Sequence, residues 1–167
     1  SHAQDPLEGD NIWIKMGIET GITNITSSTA ARIQFAYQCP FPNEKASEDF
    51  HSWIRMSAFG ANFRYTSLIP TKYRIPSFMK YQASRTRIGP NNFNQIKARV
   101  DSDGFSKAIE IALARNTIKP EEIPLLKAKF YKRLAKSMRR ELEDELANEL
   151  LNKAAQLEYE SFVYFNR

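Results

Sequence analysis

Apolar and polar residues alternate along 11–20, NIWIKMGIET: Ile12, Ile14, Met16 and Ile18 fall on one side, Trp13, Lys15 and Glu19 on the other. A period of two predicts a half-buried strand. TGITNITSST follows as a polar connection rich in turn formers. A second strand is expected over 32–39, where Ile33, Phe35, Tyr37 and Cys39 alternate with Arg32, Gln34 and Gln38 until Pro40 and Pro42 end it. Ser47 can cap a short helix with Glu48 and Asp49 in its first turn, as the helix dipole prefers. Phe50, Trp53, Ile54 and Ala58 form its apolar stripe and Gly60 suits its stop. Pro70, Pro76 and Pro90 then forbid a long helix, and strands are expected near 62–68 and 77–83. A last strand is read where Gln95, Lys97 and Arg99 alternate with Ile96, Ala98 and Val100, between the turns GPNN and DSDG.

The period changes at Phe105. FSKAIEIALARN predicts a helix of about three turns. KPEE starts another, with Pro120 tolerated at its first position and Glu121 and Glu122 in its first turn. From Leu125 onward there is neither Gly nor Pro, and Leu126, Phe130, Leu134, Met138, Leu142, Leu146 and Leu150 recur every four residues. That spacing drifts slowly round a helix of 3.6 residues per turn. Unbroken over 125–160, the helix would be about 50 Å long, more than a domain of this size needs. It calls for a helical partner, or for a bend between Glu141 and Asn148 that the sequence marks only weakly.

These elements predict an α+β fold: an antiparallel β-sheet with a short inserted helix, followed by a helical C-terminal region with one long helix. Residues 1–8 read as a leader left from a tag, 9–118 as the α+β core domain, and 119–167 as a helical arm or a set of packed helices.

Apolar residues make up 42% of the 167 and charged residues 26%, the balance of a globular protein. No apolar run is long enough to span a bilayer and no signal-peptide pattern is present, so a cytoplasmic, nucleoid or nuclear location is expected rather than secretion. Cys39 is the only cysteine, which excludes an internal disulfide and a cysteine-based zinc site.

The net charge of +5 is unevenly spread: residues 51–100 hold nine basic side chains and no acidic one. The same stretch holds Trp53, Phe59, Phe63, Tyr65, Tyr73, Phe78, Tyr81 and Phe93. Cations beside aromatics are what a binder of single-stranded nucleic acid uses, since cations track phosphates while rings stack on bases of any sequence. The expected contacts are Arg64, Tyr65, Lys72, Tyr73, Arg74, Lys80, Tyr81, Arg85, Arg87, Lys97 and Arg99. The alternative is that the aromatics fill the core and the cations form a solvated face.

The C-terminal stretch is polarised too. Lys127, Lys129, Lys132, Arg133, Lys136, Arg139 and Arg140 come without an acid among them; Glu141, Glu143, Asp144, Glu145 and Glu149 follow without a base among them. In a continuous helix Arg139 pairs with Glu143 and Arg140 with Asp144 at i, i+4. Three readings stand: a solvated face, two copies lying antiparallel over the leucine stripe, or an extension of the nucleic-acid surface.

Catalytic patterns are thin. His51 has no partner at motif spacing, DSDG lacks the glutamate that would close a calcium loop, and no phosphate-cradling loop or metal-ligand cluster is present. The expectation is a non-enzymatic subunit without cofactor that binds single-stranded DNA or RNA. The C-terminal stripe Leu126–Leu150 would join it to a second copy or to a helical protein. The alternative is an adaptor whose basic face meets an acidic protein, and a nuclease using His51 stands third.

Overall fold

The computed structural model describes residues 7–20, 26–66 and 88–165. Among them there is no strand, and the only β contact is an isolated bridge between Gly9 and Phe63. The expected α+β fold with an antiparallel sheet is therefore overturned: the protein is helical. Helix α1 (Trp13–Lys15) runs on as a π-helical turn, Met16–Thr20. Then come α2 (Ile33–Gln38), α3 (Glu48–Ala58) and α4 (Pro90–Ala114). A 3₁₀ turn at Pro120–Glu122 leads into α5 (Ile123–Arg140), and α6 is Asp144–Phe165.

Each misread strand has a local cause. In 11–20 the buried residues are Ile12, Trp13, Met16 and Gly17, a helical spacing that puts Trp13 inside. In α4 the buried positions Asn94, Ala98, Asp101, Phe105, Ala108 and Ala112 recur at alternating steps of four and three, with Val100, Gly104 and Ile109 buried beside them. Two of the six are polar, so the helical period does not show as an apolar stripe, and DSDG is a turn of this helix rather than a reversal. Helix α2 buries none of its own residues; the chain there is anchored by Cys39, which is fully buried just past its end. Of the strand expected over 62–68, residues 62–66 carry only the bridge at Phe63, and residues 67–68 and the strand over 77–83 lie outside the described residues.

The helix expected after Ser47 is present and central: every residue from Phe50 to Ala58 is buried. It ends at Gly60, whose φ of +100° allows the reversal. Gly60 N–H bonds to Ser57 O at 3.0 Å and Ala61 N–H to Met56 O at 2.9 Å, a Schellman closure. Helix α4 closes in the same way over Asn116 and α5 over Leu142, at φ of +55° and +62°.

Phe105 of α4 lies parallel to Phe130 of α5, with ring centres 4.3 Å apart, and tilted against Trp13 at 5.7 Å. Gly17 leaves the room for this stack, since a Cβ there would come within 2.3 Å of Phe105. One apolar cluster runs from Ile12 through α3, α4 and α5 to Leu150. The leucine stripe belongs to it. Phe130, Leu134, Met138, Leu146 and Leu150 are buried and Leu126 packs against them. The long helix is broken at Leu142, so α5 and α6 form an antiparallel hairpin, joined across its edge by Lys132 and Glu158 at 2.6 Å. The stripe is buried within one chain and its burial does not call for a second copy; the ion pair that joins α5 to α6 uses Glu158, outside the acidic run 141–149.

Leu142 is the exception in the stripe. It is 88% exposed and holds a left-handed backbone conformation that costs a branched L-residue about 1–2 kcal/mol. Leu142→Gly should stabilise the protein by about 0.5–1 kcal/mol, a net of removed strain over added chain entropy. Urea denaturation reads this as a higher midpoint at unchanged slope.

Candidate nucleic-acid interface

Two of the described cations expected to meet nucleic acid are already engaged. Lys97 donates to Asp101 at 2.8 Å and to Ser47 Oγ at 3.3 Å, with only 18% of its side chain exposed. Asp101 is completely buried and also accepts from Ser47 Oγ. Ser47 thus stands at the expected N-terminus of α3, but its hydroxyl holds Asp101 instead of capping the helix. Removing Lys97 would strand a buried carboxylate, which typically costs about 3–5 kcal/mol. Within the fold, Lys97 holds Asp101 and Ser47. Arg99 is exposed, yet it binds Glu44 through both terminal nitrogens at 2.8 Å, and this holds the Glu44 carboxyl below its ordinary pKa.

Arg64 and Tyr65 are exposed, and the Tyr65 amide donates to Glu8 Oε1 at 2.6 Å. Exposure of the Tyr65 ring fits a stacking residue better than a core one. Lys72, Tyr73, Arg74, Lys80, Tyr81, Arg85 and Arg87 lie outside the described residues.

Helix α5 divides its cations by face. Arg133 turns inward: its Nε donates to Gly17 O at 2.9 Å, and its guanidinium lies over the rings of Phe130 and Phe50 at 5.1 and 5.8 Å. Burial lowers its pKa, with the nearby Asp101 charge opposing that shift. Lys132 is tied to Glu158, and Arg139 donates to Asn148 Oδ1 at 3.3 Å. The i, i+4 pairs expected at the junction do not form, because the helix breaks between their members; Glu143 accepts from Asn94 Nδ2 at 3.0 Å instead. Lys129, Lys136 and Arg140 stand exposed, with no ion pair to a carboxylate among the described residues.

His51 does not offer a base to solvent. The ring is 2% exposed, its Nε2 lies 2.7 Å from Asp103 Oδ2, and its Nδ1 is buried without a partner. Lys107 shares the same carboxylate oxygen at 2.8 Å. Backbone approach is close here: a Cβ on Gly104 would lie 2.9 Å from His51 Cα. With the outward nitrogen donated to Asp103 and the inward one enclosed, the imidazole has no free position for proton transfer to a substrate, which counts against the His51 nuclease reading. Cys39 is likewise enclosed, and burial raises its thiol pKa, away from thiolate reactivity. No group of acidic, histidine and cysteine side chains among the described residues could hold a metal ion. None of the helices described is long and apolar enough to cross a membrane.

The sequence reading missed the linked set Ser47, Lys97, Asp101 and Arg133 and the pair His51–Asp103. The i, i+4 spacing of Lys97 and Asp101 was the available signal, hidden once 95–100 was read as a strand. Comparison with family models, curated proteins and solved structures gave no match.

Burial of the imidazole lowers the His51 pKa, and Asp103 offsets this only in part. Below the unfolded value of about 6.5 the unfolded chain gains a proton that the folded chain refuses, so stability is lost as pH falls through that value. Denaturation between pH 7.5 and 5 should show this fall, and His51→Gln should flatten it.

Proposed function

We propose that the protein is a non-enzymatic nucleic-acid-binding subunit, taking single-stranded DNA or RNA with little sequence preference. The observation that carries this reading is the stretch 51–100, with nine cations and no acid. Uncompensated charge of one sign repels itself and draws a counter-charge from elsewhere. Three of those nine, Arg55, Lys97 and Arg99, are satisfied within the fold: Arg55 donates its Nε to His51 O and an Nη to Pro40 O. The remaining cations are Arg64, Lys72, Arg74, Lys80, Arg85 and Arg87, interleaved with Tyr65, Tyr73 and Tyr81. Phosphates answer the cations and bases answer the rings.

The runner-up is an adaptor whose basic face meets an acidic protein. It draws on the exposed apolar side chains Ile33, Tyr37 and Tyr159, which a nucleic-acid contact leaves unexplained.

The test is a salt titration with unrelated single-stranded oligonucleotides. If about four to six phosphates are neutralised, log K should fall against log salt with a slope of roughly −3 to −4. Replacing Lys72, Arg74, Arg85 and Arg87 by Gln should make the slope shallower. Absence of binding at low salt, or a slope near zero, would overturn the reading.

A further inference from the structure

We infer that the outward face of α5 is a second part of the nucleic-acid surface, a track of Lys129, Lys136 and Arg140 that contacts phosphates of the same strand. The inference rests on the reading of the protein as a nucleic-acid binder and adds a site that the stretch 51–100 does not contain.

Three observations converge on this face. The first is geometry. The buried positions of α5 are Ala128, Phe130, Leu134, Ala135 and Met138. At 100° per residue, Lys129, Lys136 and Arg140 fall within a narrow sector opposite those positions, and Lys132 and Arg139 fall on one flank. From Lys129 to Arg140 the track spans about 16 Å at 1.5 Å per residue.

The second is charge. From Ile123 to Arg140 the helix has seven cations and no acid. Lys132 with Lys136, and Lys136 with Arg140, are like-charge neighbours at i, i+4, each unfavourable by about 0.2–0.5 kcal/mol where opposite charges would help. The chain has the acids to relieve this but holds them on α6, where Glu149 pairs with Lys153 at 2.7 Å. The break at Leu142 also deprives Arg140 of Asp144, its partner in a continuous helix. A helix that keeps its outer face cationic against its own stability is suited to a polyanion, and the acidic outer face of α6 confines that polyanion to one side of the hairpin.

The third is place. Asn94 bonds to Glu143 at 3.0 Å, so the N-terminal end of α4 lies against the hairpin turn. The basic stretch enters α4 through Gly89 and therefore joins the fold at the end of α5 that carries Arg139 and Arg140.

Lys129→Glu, Lys136→Glu and Arg140→Glu together, in the full chain, test this by salt-dependent binding to a single-stranded oligonucleotide. Lys15→Glu, Arg32→Glu and Lys45→Glu form the control, an equal change of net charge at exposed positions elsewhere. The α5 variant should lose at least tenfold in affinity and flatten the salt slope by about 2, near 0.7 per lost phosphate contact. The control should shift the slope by less than half of that, and both variants should melt as the wild type does. Wild-type slope in the α5 variant would overturn the inference and leave the broader reading standing, as would equal effects of variant and control. A wild type that binds no oligonucleotide would overturn the broader reading itself. Equal competition by polyglutamate would assign the face to an acidic protein instead and so overturn the inference.

Discussion

The contact of Phe105 with Phe130 on one side and Trp13 on the other ties α1, α4 and α5 to one another at a single point of the core. All three rings are essentially without solvent exposure. Truncating a ring buried like this usually costs about 3–5 kcal/mol, a large share of a domain's stability. Gly17 is part of the same constraint, because any side chain there would occupy the place of the Phe105 ring. With Phe130 fixed inward, the helical period sets the rest of α5: Leu134 and Met138 follow it into the core, and Lys129, Lys136 and Arg140 are turned away.

The electrostatics follow from that orientation. Cations that the fold draws inward find an answer inside it. Lys97 meets Asp101, Arg55 meets backbone carbonyls, and Arg133 meets the Gly17 carbonyl and two aromatic faces, with one terminal nitrogen buried without a hydrogen-bond partner. Among the described residues, cations left outside on α5 find one carboxylate, Glu158, and one amide, Asn148. Burial therefore separates structural cations from those open to a partner. Lys97, inward, is held by Asp101, while Lys129, Lys136 and Arg140 of α5 face outward.

Where apolar side chains alone lined an inward face, the sequence was readable. Phe50, Trp53, Ile54 and Ala58 marked α3 and Gly60 marked its stop, and KPEE marked the entry to α5. Where polar residues were inside, it was not. Asn94 and Asp101 occupy core positions of α4, Gly104 sits mid-helix against His51, and the resulting alternation imitated a strand. The hairpin was hidden for a related reason: its left-handed turn residue is Leu142 rather than Gly, so the mark of a helix end was missing and the stripe read as continuous. For the candidate site, the cationic runs were legible as composition. Which of their members are consumed internally was not, because the partners Asp101, Glu44 and Glu158 are 4 to 55 residues away in sequence.

Helices α5 and α6 close on each other over the apolar stripe within one chain, which turns Lys129, Lys136 and Arg140 outward. A distance between spin labels at Leu125→Cys and Tyr159→Cys tests this central claim most directly, with the buried Cys39 left in place. Helix neighbours pack with axes about 8–10 Å apart, so with label arms the expected separation is under about 20 Å. It should persist when labelled protein is diluted into unlabelled protein. A separation near 50 Å, the span of a continuous helix, would contradict the claim. So would a short distance that vanishes on dilution, because the antiparallel pairing would then be between two copies.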